Sequence, residues 1–348
     1  MEIFMLFFIV FALYFIGAYC LWGIVWASAY AWCFRRSNRP DYNITAGEYC
    51  IEKMAEPPLR KEEFFKAGAS TLKGYFYKNE NSDKLVVLAH GFRAGADEFL
   101  PLIKELNLKG FNVFSYDATG CYDSKGRSLI GMCQALVDLD NVLSYLKQNS
   151  TYKAFKLYLI GHSLGGYAVL SALEIHKDIL GCVALAPVCD ATTLMLETAE
   201  KYMGKSARIC KPFFSAVQGL TFGRYTAYNA VRGINCSKAK ILIVEGDNDE
   251  IISHGKISVS KHRDEIVNGS ATFLTTEGLR GGHASLWHSE KSVAYKNAVD
   301  RAFLNVKKAS KKRLTYSQKV GYYERVNNAL YSTPSEELIE QISKTFSA

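Results

Sequence analysis

Proline is scarce in this chain, at seven in 348 residues, and glycine is unremarkable at 26. These counts exclude a collagen-like or low-complexity polymer, and a hydrophobic content of 49% excludes general disorder. Nine cysteines are scattered without a CxxC pair or a Cys/His cluster. A zinc ribbon and a disulfide mini-scaffold are therefore excluded, and the pattern fits reduced thiols in a reducing compartment. No internal repeat is present. Neither sign of charge dominates: Lys+Arg 42 against Asp+Glu 34 leaves +8. That mild basicity suits anionic lipid as readily as nucleic acid, and no nucleic-acid partner is expected.

The sharpest absence is local. From Ile3 to Phe34 there is no charged residue, a run of 32 positions. A helix of that length reaches about 48 Å, whereas a bilayer's hydrocarbon core is about 30 Å thick. The run can span once, with tilt or with its aromatic end among the headgroups. Trp22, Trp26, Tyr30 and Trp32 gather at that end as an interfacial belt would. The competing reading is a cleaved signal peptide. Against it, no Lys or Arg precedes the run, and the run is about twice an ordinary h-region. Arg35, Arg36 and Arg39 follow directly. The positive-inside rule then puts everything after Arg35 in the cytoplasm.

Past the anchor (3–34), residues 35–61 are polar and carry Pro40, Pro57 and Pro58, reading as a tether. From Glu62 the pattern changes. Segments 62–66 and 72–77 suggest an opening strand pair. Continuous apolar runs at 85–89, 111–116, 157–160, 182–186, 241–245 and 271–275 suggest strands buried on both faces. Helical segments at 96–108, 130–147, 164–175 and 293–306 alternate with them, so a mostly parallel α/β sheet over 62–306 is expected. The stretch at about 188–238 contains no good strand. The tail, 307–348, opens on Lys307, Lys308, Lys311, Lys312 and Arg313, a run that suits either a solvated helix end or anionic headgroups. It ends in an i, i+4, i+8 stripe of Leu338, Ile342 and Phe346, one amphipathic helix.

The strongest chemical signal is Gly161-His162-Ser163-Leu164-Gly165-Gly166, after a strand run and before a helical one. Strand, G-x-S-x-G, helix is the pattern of a nucleophile elbow. Ser163 must sit on a strained turn, and small neighbours let strand end and helix start approach. The Leu164 N–H then faces a developing oxyanion from a helix N-terminus. A serine needs a base, and the base needs an orienting carboxylate. Downstream, strand 241–245 runs into Gly246-Asp247-Asn248-Asp249. Asp249, three after the glycine and followed by Ile251 and Ile252, is the better acid, and Asp247 reads as a turn residue. After strand 271–275 comes Gly281-Gly282-His283, whose glycines free the backbone to carry the imidazole over the elbow. His288 is the rival base, while His176, His254 and His262 lack strand-end placement. Strand 85–89 leads into His90-Gly91-Phe92-Arg93. The Phe92 N–H is the natural second oxyanion donor, with His90 and Gly91 shaping the loop.

With these residues in hand, the chain resembles the α/β-hydrolase superfamily, in the branch of monoacylglycerol-lipase-like esterases and serine-aminopeptidase-like hydrolases. The run from Asp117 to Gly126 adds to the match, resembling that family's D-x-R-G-x-G-x-S-x-G turn, with Thr119 for the usual Arg and Tyr122 for a usual Gly. The resemblance implies Ser163 as nucleophile, His283 as base and acid, Asp249 as orienter, and Phe92 and Leu164 as backbone donors. Gly161 and Gly165 support the turn. It implies no metal and no organic cofactor. It places a helical lid at 188–238, where Met195, Tyr202, Met203, Phe213, Phe214, Phe222, Tyr225 and Tyr228 either line an acyl pocket or pack the lid down. The expected partners are a small-molecule or lipid-like acyl substrate and the bilayer. Ester hydrolysis leads. Aminopeptidase-like or acyl-peptide cleavage, with Glu197 or Glu200 gripping an amine, is the alternative, and a silent membrane scaffold is the alternative of another class.

Overall fold

A computed structural model describes residues 2–204, 207–208, 211–252, 257–310 and 313–347. His254, Lys311 and Lys312 lie outside that set, as do the side chains of Tyr202, Met203, Phe213 and Phe214. The chain opens with α1 (Glu2–Cys33). Phe4–Cys33 is long and apolar enough to cross a membrane. Residues 4–21 are exposed. From there the helix turns one face inward. Trp22 and Tyr30 pack against the main core, and Trp26 and Phe34 are buried in it. The aromatic cluster expected as an interfacial belt is thus in part a docking face. Spacing of four keeps Trp22, Trp26, Tyr30 and Phe34 on one side of the helix. The freely exposed 18 residues reach about 27 Å, close to one hydrocarbon core.

Eight strands form one sheet: β1 (Arg60–Ala67), β2 (Ser70–Tyr77), β3 (Lys84–Ala89), β4 (Asn112–Asp117), β5 (Lys156–His162), β6 (Gly181–Leu185), β7 (Lys240–Gly246) and β8 (Ala271–Thr276). Their order is β1-β2-β4-β3-β5-β6-β7-β8. The first two joints, β1 with β2 and β2 with β4, are antiparallel, and all the rest are parallel. Helices α2 (Leu100–Leu108), α3 (Gln134–Gln148), α4 (Leu164–Ile175) and α8 (Glu290–Ala309) lie between or after the strands. The continuous apolar runs follow from that burial: Val86, Val87, Leu159, Ile160, Val183 and Ile243 are all enclosed. Helix α3 starts four residues later than the periodicity suggests, because Ile130 takes a positive φ of 63° that no helix tolerates. The expected helix at 96–108 begins as a 3-10 turn, Ala96–Phe99.

Register sets the working edge. The chain leaves β3 for β4 on one side and returns to β5 on the other, so a crevice opens at the carboxyl ends of β3 and β5. Ala89 pairs with Gly161, which brings the loop after β3 beside the turn after β5. Gly246 pairs with Thr276, so the loops carrying Asp249 and His283 emerge together. Between β6 and β7 the expected lid is helical: α5 (Ala191–Met203), α6 (Lys211–Phe222) and α7 (Ala230–Asn235). Met195 and Phe222 are buried in the main core, and Tyr225 and Tyr228 pack against it. For these four, packing down is the observed role.

Residues 35–61 are not a free tether. Arg35 bridges to Ser128 and Ser37 to Cys121. Arg36 donates to the carbonyls of Ser124 and Gly126, each at 2.8 Å, and to that of Tyr122. Arg39 pairs with Asp97 and reaches Asp123 at 2.8 Å. These charges fix the segment against the turn after β4. In that turn, Thr119 gives both its N–H and its hydroxyl to Asp138, each at 2.7 Å. Tyr122 sits at φ +37° where a glycine is usual, its hydroxyl donating to Glu98 at 3.0 Å.

The tail adds α9 (Tyr316–Tyr323), α10 (Asn328–Ser332) and α11 (Glu336–Ser347). Leu338, Ile342 and Phe346 of α11 are all buried. The Phe346 ring lies 4.9 Å from Tyr158 and 5.8 Å from Phe111, near the starts of β5 and β4. The tail thus closes the sheet's other edge. With Phe346 only 1% exposed, Phe346→Ala is expected to cost about 3–5 kcal/mol, read as a lowered urea midpoint of the full chain in detergent micelles.

Candidate active site

Ser163 stands between the end of β5 and the start of α4 with φ +56° and ψ −115°. A non-glycine residue held there stores about 1–3 kcal/mol, so its surroundings must overdetermine it. Its N–H donates to the Leu185 carbonyl at 2.8 Å, and its carbonyl accepts from Tyr167 at 3.0 Å. The flanking glycines are required by space. A Cβ on Gly161 would meet the Gly165 carbonyl oxygen at 2.2 Å, and one on Gly165 would meet that of Ala89 at 2.1 Å. The Ser163 side chain is left half-buried at the crevice.

The acid and base candidates meet. His283 Nδ1 lies 2.7 Å from Asp249 Oδ2, and both residues are buried. The other carboxylate oxygen accepts the N–H groups of Ile251 and Ile252, each at 2.8 Å. Burial pushes the Asp249 carboxyl up. The hydrogen bond and charge of His283, with those two N–H groups, outweigh it and hold the group below the ordinary carboxylate range. With Asp249 ionised, His283 carries its proton on Nδ1, leaving Nε2 as the basic nitrogen. Asp247 is exposed and accepts from Asn248 at 2.9 Å, a turn role. His288 is buried beside the tail segment at Pro334, while the Asp249 oxygens are taken by His283, Ile251 and Ile252. His176 is bonded to Asp140 at 2.8 Å and His262 to Glu265 at 2.7 Å. Ser163 and His283 are not hydrogen-bonded to each other in this structure; such contacts often tighten only around substrate.

Two supporting residues gave no signal in the sequence. The Glu250 carboxylate accepts the His283 N–H at 3.1 Å. His162 Nε2 donates to the His283 carbonyl at 3.0 Å, its ring 4.8 Å from the His283 ring. Burial, then the neighbouring His283, pushes His162 down to about 3. It therefore stays neutral, and its bond to the carbonyl braces His283 without adding a charge. A family pattern that leaves the residue before the serine open cannot reveal this.

Across the crevice, His90 Nδ1 donates to the Gly91 carbonyl at 2.8 Å, and its Nε2 accepts from the Ala118 N–H at 2.9 Å. Both ring nitrogens are thus spent on shaping the loop. A Cβ on Gly91 would stand 3.4 Å from Ser163 Cβ, so loop and elbow are in near contact. Among the described residues, the Phe92 and Leu164 N–H groups donate to no other backbone group. Also among the described residues, no group of three or more His, Cys, Asp or Glu is placed to hold a metal.

Comparison with known proteins bears on the family and the fold. The sequence model described as serine aminopeptidase, S33, matches residues 80–320. The chain belongs to this family of α/β-hydrolase proteins. The Pyrococcus furiosus esterase Pf2001 shares the fold, with TM-score 0.54 and 21% identity over 79% of this chain and 98% of that one. So does Est1E of Butyrivibrio proteoclasticus, solved with ferulic acid, with TM-score 0.51 and 17% identity over 71% of this chain and 100% of that one. Among curated relatives, the polyketide transferase grgF of a Penicillium species is 25% identical over 39% of this chain, spanning 47% of the relative's own length. A proline iminopeptidase of Saccharolobus solfataricus is 29% identical over 31% of this chain and 34% of its own. The chain spans about half or less of the length of these two relatives.

Two outcomes follow from the site's packing. Gly165→Ala is expected to cost about 1–3 kcal/mol of stability by forcing apart the elbow and β3; Gly269→Ala, whose Cβ would meet nothing within 4 Å, is expected to stay within about 0.5 kcal/mol. The second concerns acid. His162 and His288 are both pushed down to about 3 by burial, so the unfolded chain binds protons there that the folded chain refuses. Their contribution is intact above about pH 6.5 and is lost as pH falls toward 3, at about 1.4 kcal/mol per pH unit for each group. Unfolding curves between pH 7 and 5 are expected to show this slope, and His288→Gln to remove half of it.

Proposed function

We propose that this protein is a membrane-anchored serine hydrolase that cleaves a carboxylic ester, with a lipophilic acyl group, through an acyl-serine intermediate. The observation that carries this reading is the strained Ser163 turn, whose preceding residue His162 bonds to the His283 carbonyl of a buried His283–Asp249 pair. In the proposed cycle the Ser163 hydroxyl attacks the ester carbonyl and its proton passes to His283 Nε2. Asp249 stabilises the imidazolium without taking the proton. The oxyanion forms between the N–H groups of Phe92 and Leu164, and collapse expels the alcohol, protonated by His283. Water repeats the sequence and frees the acid and the serine.

The exposed, uncharged length of α1 supports anchoring, and Arg35, Arg36 and Arg39 support a cytoplasmic catalytic domain. The lipophilic preference rests on that anchor. A second reading, amide cleavage at a peptide N-terminus, is favoured by the family's description and by the proline iminopeptidase match. It needs a carboxylate to hold the substrate amine. Of the two lid candidates, Glu200 is paired with Arg208 at 2.9 Å.

Fluorophosphonate labelling tests the chemistry. The wild type is expected to label, Ser163→Ala not at all, and Asp249→Asn to lower turnover by about 10⁴ by losing the tautomer. A folded wild type that fails to label returns the protein to the scaffold reading. A series of acyl esters beside aminoacyl amides then decides between ester and peptide. Digestion of the catalytic domain by protease added outside intact cells would refute the cytoplasmic placement.

A further inference from the structure

The loop that carries the Phe92 N–H is strained. Arg93 takes φ +62°, and such a residue persists only when its surroundings hold it. Those surroundings come from the end of α1 and the residues just after it. The Phe34 ring meets the Phe92 ring edge-on at 5.7 Å. The Arg93 guanidinium donates to the Cys33 carbonyl at 3.3 Å. The Ser37 hydroxyl donates to the Arg93 carbonyl at 2.6 Å. Residues 33–37 therefore grip two consecutive loop residues by ring, side chain and backbone. All lie upstream of the residues that match the family.

The same helix end touches the lid. Tyr30 donates to the Ile130 carbonyl at 2.7 Å and accepts from Gln218 of α6 at 2.9 Å. A Cβ on Gly131 would lie 2.7 Å from the Tyr30 hydroxyl and 2.8 Å from the Phe222 ring. Only glycine lets loop, anchor and lid converge there. The Phe34 carbonyl also accepts from Leu129 at 2.8 Å. Every one of these contacts is at the carboxyl edge of the sheet, on the same side as Ser163.

We propose that the docked end of α1 is a positioning part of the active site: Phe34 and Ser37 hold the oxyanion loop, and Tyr30 joins it to the lid. This rests on the serine-hydrolase reading, because the Phe92 N–H matters only if an oxyanion forms. A donor a few tenths of an ångström out of place weakens the transition state more than it weakens substrate binding. The signature is therefore a fall in kcat at nearly constant KM. Mere packing would lower the unfolding midpoint and leave kcat of the folded fraction alone.

The experiment uses the full chain in phosphatidylcholine vesicles, with p-nitrophenyl butyrate and laurate as substrates. Phe34→Ala and Ser37→Ala are each expected to lower kcat about tenfold, a fraction of what losing a whole oxyanion donor costs. KM stays within about twofold, and the fluorophosphonate labelling rate falls in parallel. Phe34→Leu, which refills the space beside Phe92, restores most of the rate. Tyr30→Phe removes both hydrogen bonds while keeping the ring; it is expected to raise KM for laurate more than for butyrate. Val25→Ala, on an exposed part of the same helix, leaves both constants unchanged. Should Phe34→Ala fail to fold, Ser37→Ala, which deletes one hydroxyl, carries the test. Folded Ser37→Ala and Phe34→Ala with wild-type kcat would overturn the inference while leaving the hydrolase reading intact. A wild type that neither labels nor turns over would overturn both.

Discussion

The contact between Gly165 and the Ala89 carbonyl constrains much else in this molecule. With no side chain between them, the first turn of α4 lies directly on the end of β3. That closeness forces the chain at Ser163 into its positive φ, because strand end and helix start must then meet almost head-on. The strain is held by the parallel register of β3, β5 and β6, which also supplies the Leu185 carbonyl for the Ser163 N–H. A wider separation would relax the turn and carry the hydroxyl away from the Phe92 loop. Strain, register and the two backbone donors are therefore a single constraint seen from three sides.

Electrostatics at the other half of the site follows a similar economy. A buried carboxylate is costly unless its lone pairs are used. Asp249 spends one oxygen on two N–H groups and the other on His283. His162 contributes a hydrogen bond without a charge, since burial keeps it neutral beside His283. Glu250, an exposed residue, holds the backbone of His283 through its carboxylate and not its ring. The imidazole is thus oriented by one charged partner, and its loop is fixed by two others.

How much of this was legible depended on range along the chain. Ser163 was legible because the steric demand is local: two glycines at fixed offsets, a strand before and a helix after. The strands were legible because both faces are buried and the apolar runs are unbroken. Asp249 was separable from Asp247 because it stands three after Gly246 and ahead of apolar Ile251 and Ile252, whose N–H groups its carboxylate accepts. Glu250 and His162 act through backbone atoms of a residue far away in sequence, and no local pattern marks such contacts. The docked face of α1 was ambiguous for a different reason. Aromatics spaced four apart suit a headgroup belt and a packing stripe equally, and only the partners Phe92, Ile130 and Gln218 decide. Likewise Arg36 and Arg39 read as flanking charges, whereas their guanidiniums are occupied by the turn after β4.

These arginines also tie the end of the apolar helix to the candidate site. A helix of 32 residues is too long for one hydrocarbon core, and the excess is what docks. From Tyr30 at the lid junction to Trp22, where the exposed stretch begins, is about 12 Å along the helix axis. If α1 spans a bilayer, the carboxyl edge of the sheet is held within roughly that distance of the headgroups, because rigid contacts and not a flexible linker set the spacing. A flexible tether would have allowed any orientation of the domain. The strap of residues 33–39, bonded through Cys33, Phe34, Arg36, Ser37 and Arg39 to the loops around Ser163, leaves the helix end no such freedom against the domain.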